Sequence, residues 1–501
     1  MILSKGTFIW LAIFALLLVT AASINLSWVQ RFHNADSLLV TLISLDRYTP
    51  FYWGENRLGQ PGPLILSFVH DYRANLFAHT GLIVSASLGC VVLFNLYFLH
   101  AFLSKLQRMS VALLSIVLGF CALSSLSDGP SQMLAVGAQP YTPSLFLMLL
   151  ALALLFRTPG RAGWSRFTAA FFCLLIAFWL NISIASITLG LAISIDFNFR
   201  YPRWKQRVGS LSIVVASLGA NIWFAGQYTG PSTFVFSPMS DWLFGLKRLG
   251  WRVWPYFFHQ GRLLALLTLL LAMLVALRRS QRGLRDYCIP DVVMFSAAAI
   301  CYVAVIARVE WVGVNGYSPR YWTILAVLFL LLVTGWVSAE LIRLFTNALN
   351  SERLTVACAG SLLATCVLLM FGLPSNVKAR AYLAENINRY DADERSLGCT
   401  HFVGDYWIGW TSVFQRESSG GPPIYAITRR SEVTRYLWDW PAGRLRTYCG
   451  LQGDPDRERW IQAFGLPPLY ETARSGMLAR LEAGTMPPGA PITGSTQTRR
   501  N

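Results

Sequence analysis

The sequence predicts a polytopic α-helical membrane protein of about eleven transmembrane helices with a small α/β C-terminal extracytoplasmic domain. Three observations carry that prediction. Hydrophobic residues make up 54% of the 501 positions and charged residues only 13%, with a mean hydropathy of +0.46, whereas soluble domains carry about 25% charged residues. Long uncharged stretches recur as far as Pro374, each approaching the ~20 residues that cross a bilayer. Finally, Lys and Arg cluster in alternate short loops: Lys105 and Arg108; Arg157, Arg161 and Arg166; Arg200, Arg203, Lys205 and Arg207; Arg278, Arg279, Arg282 and Arg285; Arg343 and Arg353.

Spans are expected near residues 8–29, 76–99, 109–126, 143–156, 167–180, 182–196, 208–226, 262–277, 290–307, 321–339 and 354–373. The first, after Lys5, ends in Thr-Ala-Ala-Ser like a signal peptide, but its apolar run is long for one, and an uncleaved span is preferred. Phe167 to Asp196 is long for one span and short for two. A turn at Asn181 makes it two, which places the Arg200–Arg207 cluster with the other basic loops. By the positive-inside rule those loops are cytoplasmic, so the net charge of +17 reflects topology and not a nucleic-acid partner. With the N-terminus inside, an odd number of spans puts the tail outside the cytoplasm. The domain plan is then a membrane domain over 1–373 with an outer loop at 30–75, a periplasmic soluble domain over 374–483, and a Pro/Gly/Ser/Thr-rich disordered tail over 484–501.

Seven cysteines (Cys90, Cys121, Cys173, Cys288, Cys301, Cys358 and Cys366) lie in or beside apolar segments, where a thiol behaves as a small hydrophobe. Cys399 and Cys449 lie in the polar tail, and a tail outside the cytoplasm makes a disulfide between them the natural pairing. No CxxC or Cys/His metal spacing is present.

Only 25 residues are Asp or Glu, and the early loop from Asn34 to Tyr72 holds four of them: Asp36, Asp46, Glu55 and Asp71. An outer-surface carboxylate can act as general base on an acceptor hydroxyl or amine, and a site of this kind leaves room for a divalent cation. Loops also carry acids simply because they meet water, and Asp46 is expected to be merely solvated. Asp128 is the single charge of the next outer loop, and Asp241 and Glu310 follow later. Arg308, Glu310, Arg320 and Tyr321 flank the ninth and tenth spans. An Arg fork there suits a lipid phosphate; an ion pair of Arg308 with Glu310 beside an aromatic belt is the plainer account. The third outer loop, with Trp242, Lys247, Arg248, Trp251, Arg252, Trp254, Tyr256, Phe257 and His259, suits an interfacial helix, although aromatic faces also stack on sugars. The spans lack clear mid-membrane charges, which weakens ion-coupled transport.

A first span followed by an acid-bearing outer loop resembles the GT-C superfamily of integral-membrane glycosyltransferases. FYWGENRLGQPGPLI is similar to an aromatic–Gly–x–x–Arg/Tyr–x–Gly segment of bacterial family-39-like members, SPRYWTIL to their late Arg-Tyr segment, and GDYWIGWTSVF to a segment in outer domains of some of them. The resemblance implies transfer of a sugar from a polyprenyl-phosphate donor to an envelope glycan, lipid or protein acceptor. It implies Asp36 as base, Asp128 as second acid, Arg320 on the donor phosphate, and Glu55 and Arg57 shaping the pocket. Asp71 or Glu55 stands as the alternative base, since Asp36 lacks the adjacent second acid of many members. The rival classes are an envelope-polysaccharide polymerase or ligase, a lipid-linked glycan flippase, and a non-catalytic receptor or scaffold.

Overall fold

Helices occupy each expected span that falls within the residues described by the computed structural model, which are 5–46, 48–51, 58–99, 103–124, 141–156, 164–198, 204–228, 235–254, 285–346, 350–371, 381, 384–385, 387–428, 446–455 and 457–483. The expected span at 262–277 lies outside them. In chain order the helices are α1 (Lys5–Ser27), α2 (Ala35–Leu45), α3 (Pro61–Leu66), α4 (Tyr72–Leu93), α5 (Lys105–Ser124), α6 (Tyr141–Phe156), α7 (Trp164–Leu180), α8 (Ile184–Asn198) and α9 (Trp204–Gly226). There follow α10 (Trp242–Trp254), α11 (Arg285–Ile306), α12 (Glu310–Val314), α13 (Thr323–Thr346), α14 (Ser351–Phe371), α15 (Asp391–Leu397), α16 (Tyr406–Ser419) and α17 (Arg457–Ala463). Among the described residues six helical stretches are long and apolar enough to cross a membrane: Thr7–Ser27, Tyr72–Phe98, Lys105–Ser124, Val208–Gly226, Arg320–Thr346 and Ser351–Met370. Tyr141–Phe156, Trp164–Leu180, Ile184–Ser194 and Asp291–Ile306 are apolar but shorter. This is a helical membrane protein.

The chain divides into two compact units. The first comprises Met1–Phe32, Pro50–Ile65 and Phe77–Ala379; the second comprises His33–Thr49, Leu66–Leu76 and Arg380–Asn501. The early loop, however, is not a simple outer loop of the membrane domain, because two of its segments pack with the C-terminal residues.

In the first unit α5 packs against α13 and α14, α1 against α14, α8 against α11, and α7 against both α6 and α9. Bilayer lipid supplies no hydrophobic drive between helices, so close packing and hydroxyl bonds join them. Ser115 Oγ donates to Ser338 Oγ at 3.1 Å, Ser110 and Thr355 share a hydrogen bond of 2.9 Å, and Thr20 meets Cys366 Sγ at 3.3 Å. The outward faces remain apolar: Phe8 and Phe14 of α1, Trp223 of α9, and Val356 and Leu368 of α14 are all exposed, as lipid-facing positions should be.

The ambiguous stretch forms two helices that break at Asn181. α7 stops at Leu180, and the Asn181 side-chain oxygen accepts from the Ser183 amide at 3.2 Å and its hydroxyl at 2.8 Å, opening α8. Close approach is specified by glycine at two places. A Cβ on Gly190 of α8 would lie 2.7 Å from the Ala297 carbonyl oxygen of α11. A Cβ on Gly59 would lie 2.2 Å from the Trp179 ring, and the Gly59 amide donates to the Trp179 carbonyl at 2.7 Å. The Trp179 indole in turn donates to the Pro50 carbonyl at 2.9 Å. The glycine of the RLGQPG segment thus seats the loop on the end of α7.

The second unit is built on a five-stranded sheet of order β2-β1-β3-β5-β4, from β1 (His401–Val403), β2 (Tyr425–Ile427), β3 (Tyr448–Leu451), β4 (Leu469–Ser475) and β5 (Leu478–Ala483). β1 is parallel to both β2 and β3, while β5 is antiparallel to β3 and β4. Three parallel strands need crossovers; α16 provides the one from β1 to β2. Cys399 and Cys449 form a disulfide with Cα atoms 5.8 Å apart, beside the β1–β3 pairing in which Phe402 faces Cys449. A bridge across about 50 residues removes loop entropy worth roughly 4 kcal/mol from the unfolded chain.

Gly190→Ala is expected to lower the thermal midpoint of the purified protein, by an overpacking cost of about 1–3 kcal/mol. Gly219→Ala, where a Cβ meets nothing within 4 Å, should leave it unchanged or slightly raised; equal midpoints for the two variants would contradict the close α8–α11 contact. Cys399→Ser is expected to abolish the reduction-dependent shift in gel mobility and to accelerate proteolysis of residues 400–483.

Candidate functional site

Asp36 is positioned by the start of α2, not by the end of the first span. The chain leaves α1 through a 3-10 turn at Val29–Phe32 and re-enters helix behind Asn34. Asn34 and Ser37 form a reciprocal capping box: the Ser37 amide donates to Asn34 Oδ1 at 3.2 Å and the Asn34 amide to Ser37 Oγ at 2.9 Å. His33 Nδ1 lies 3.1 Å from the same hydroxyl, and burial pushes its imidazole down to about 4, so it is neutral at pH 7. Asp36 falls in the first turn, where the helix dipole favours a carboxylate.

α2 docks along α16, whose own start is capped by Asp405, the carboxylate accepting from the Ile408 amide at 2.9 Å. The first residue of α16 is Tyr406, and its hydroxyl donates to Asp36 Oδ1 at 2.6 Å, a charge-assisted length. The far ends of the two helices are tied as well. The Tyr72 hydroxyl donates to Asp46 Oδ1 at 2.6 Å and lies 3.4 Å from Glu417 Oε2. Start meets start and end meets end, so α2 and α16 run parallel. Asn75, fully buried, donates to Ser44 Oγ at 3.1 Å and to the Leu66 carbonyl at 2.9 Å, holding the Leu66–Asp71 turn against α2.

Asp46, expected to be merely solvated, is instead enclosed. Burial pushes its carboxyl up to about 6, helped by the Glu417 carboxylate and opposed by the Tyr72 hydrogen bond. Burial also raises Glu417. The cause is the helix: an 11-residue apolar segment closes on Asp46 as its C-cap and carries the acid under Tyr72. Asp71 has a different post. It is exposed and caps α4, its Oδ1 accepting from the Ala74 amide at 2.7 Å.

In the first unit Arg308, Glu310, Arg320 and Tyr321 gather in the connector from α11 to α13. Arg308 donates to the Ser237 carbonyl at 3.0 Å and lies over Phe236, and Phe236 and Val309 form an antiparallel bridge. The Glu310 amide donates to the Val235 carbonyl at 2.9 Å. Arg308 is therefore engaged by the segment before α10, and not by the expected pairing with Glu310. Arg320 donates to Asn315 Oδ1 at 2.9 Å and to the Tyr321 hydroxyl at 3.0 Å. Tyr321 is buried in the core, and its carbonyl accepts from the Tyr302 hydroxyl. The turn Gly316–Tyr317, both at positive φ, brings Asn315 back to Arg320. The third outer loop does contain a helix, α10, with Leu243, Phe244 and Trp251 exposed and the Trp242 indole donating to the Ala304 carbonyl at 3.2 Å.

Glu55, Arg57 and Asp128 lie outside the described residues, as do Tyr256, Phe257 and His259. Among the described residues no three His, Cys, Asp or Glu side chains gather as a metal site. The structure brings Asp36 together with Tyr406 and Arg320 with Tyr321, while Arg308 and Glu310 each bind the segment before α10. Tyr406, Tyr72 and Glu417 were missed as partners. The signal for Tyr406 was present in GDYWIGW, where a Gly-Asp pair marks a strand end followed by a helix cap.

A raised acid holds its proton in the folded state after the unfolded chain has lost it, so the Asp46 contribution to stability falls as pH rises from about 4 through about 6. Amide exchange over residues 35–45 should therefore be equal in wild type and Asp46→Asn near pH 4, and slower in the variant at pH 7; a pH-independent difference would refute the enclosed acid. No family model matches this chain, and neither a curated protein nor a solved structure is similar to it.

Proposed function

We propose that the protein is a membrane glycosyltransferase of the GT-C type, moving a sugar from a polyprenyl-phosphate donor to an envelope glycan, lipid or protein acceptor. The observation that carries this reading is the Asp36–Tyr406 hydrogen bond. It gives the acid ranked first as base a fixed direction at the end of a rigid helix, in a residue that is only partly buried. A general base needs that placement more than it needs proximity to other charges.

In the proposed reaction Asp36 takes the proton of an acceptor hydroxyl as the hydroxyl oxygen forms a bond to the donor's anomeric carbon. The bond from that carbon to the phosphate oxygen breaks, and its electron pair leaves with the polyprenyl phosphate. Because attack and departure occupy opposite faces, the anomeric configuration inverts. Arg320, bonded to Asn315 and Tyr321, is assigned to the departing phosphate from the sequence resemblance alone. Glu55, Arg57 and Asp128 complete the proposal from the sequence.

About eleven spans, a cytoplasmic N-terminus and a C-terminal unit outside a bacterial inner membrane belong to the same proposal. The Cys399–Cys449 disulfide supports it, since such bonds persist in oxidising compartments. The basic-loop alternation supports it independently.

Asp36→Asn should lower sugar transfer roughly 10²- to 10⁴-fold, the usual worth of a general base, with the variant still present in the membrane. Transfer is read as loss of radiolabelled sugar from lipid donor in membranes and as altered cell-surface glycan. Wild-type transfer and glycan in both Asp36→Asn and Asp128→Asn would sink the proposal.

A further inference from the structure

The turn from β1 into α16 has features that a scaffold for Asp36 alone would not need. β1 is the centre of the parallel part of the sheet. The chain leaves it through α16 to β2 on one side, and β3 pairs on its other side. The carboxyl ends of β1 and β3 therefore form a topological switch point, the place where open α/β sheets bind ligands. Gly404, at φ +123, ends β1 there, and a Cβ on it would meet the Asp454 carboxylate of the loop after β3. Tyr406, with its bond to Asp36, follows two residues on.

Trp407 stands beside this pair. Its ring centroid is 5.2 Å from that of Tyr406 at an interplanar angle of 85°, and 49% of its surface is exposed. The contrast within one unit is sharp: Trp410 on the same helix is fully buried, and Trp460 is 9% exposed. About half of the Trp407 surface thus stays open to a stacking partner, next to the phenol that holds Asp36. The indole π face is electron-rich, and it suits the C–H face of a sugar ring. Among the described residues the turn carries Asp36, Asp405 and Asp454, and carboxylates accept from the hydroxyls of a neutral ligand.

We propose that the β1–α16 turn is a carbohydrate subsite in which a sugar ring of the acceptor stacks on Trp407 while its hydroxyls meet Asp36 and Tyr406. This rests on the glycosyl-transfer reading for the word acceptor, but the binding of a sugar is separately testable. It extends the site from the early loop into the C-terminal unit and makes the acceptor a glycan.

The test uses the full chain in lipid nanodiscs and saturation-transfer NMR with methyl α-glucoside, methyl α-mannoside, methyl β-galactoside and methyl α-arabinofuranoside as probes. At least one glycoside should receive saturation from wild type. Trp407→Ala should weaken that binding by roughly fivefold or more, and Trp407→Phe should retain most of it. Circular dichroism and an intact Cys399–Cys449 bridge check that both variants are folded. Absence of transfer to every probe, or equal binding by Trp407→Ala, overturns the subsite. Two mixed outcomes separate the proposals. Trp407-dependent binding with unchanged sugar transfer in Asp36→Asn keeps the subsite and removes the transferase reading. Loss of transfer in Asp36→Asn without Trp407-dependent binding does the reverse.

Discussion

The second unit depends on one docking: α2 laid parallel on α16, with a phenol-to-carboxylate hydrogen bond at each end. α2 is apolar but only 11 residues long, about 17 Å of helix, too short to cross a bilayer core of about 30 Å. Its nearly all-round burial therefore has to come from protein. The two end bonds fix what hydrophobic contact leaves loose, namely the register along the helix axis. A slide of one turn would separate Asp36 from Tyr406 and Asp46 from Tyr72 together. The position of the candidate base is thus set by packing over the whole length of α2, and not by the residues next to it.

A different physics holds the first unit. Its helices meet through glycine, alanine, serine and threonine, and their outward faces are as apolar as their contacts. Among the described residues, backbone carbonyls and aromatic groups satisfy charged side chains, as Ser237 and Phe236 do for Arg308 in a connector and the Trp336 indole does for Asp291 within α11. The Arg320 fork is held in the same way by its neighbours in the chain.

The long helices were legible because length and composition alone identify them, and Asn181 was legible because Asx chemistry acts within two residues. The Cys399–Cys449 bridge followed from two cysteines standing apart from apolar segments. The docking of α2 was not legible. Its residues read as part of a polar outer loop, since the acids at its two ends masked the apolar run between them. Its partner begins at Tyr406, about 370 positions later, and no local pattern encodes a contact at that separation. The enclosure of Asp46 followed from the same miss, because a carboxyl in a presumed loop has no reason to be dry. Asp71, by contrast, stands where a helix-capping acid is expected, immediately before α4.

The separation between α2 and α16 also orders events during synthesis. α2 emerges among the first 50 residues, while the helix that covers it is made after residue 405. From the synthesis of α2 until that of α16 the ribosome has delivered a short apolar helix without this partner, too short to cross a bilayer. Such a segment either waits against membrane-embedded chain already made or is held by an insertion factor. Its geometry can mature only once β1 and α16 exist. A protein truncated before α16 would thus carry every early acid and still lack an assembled site.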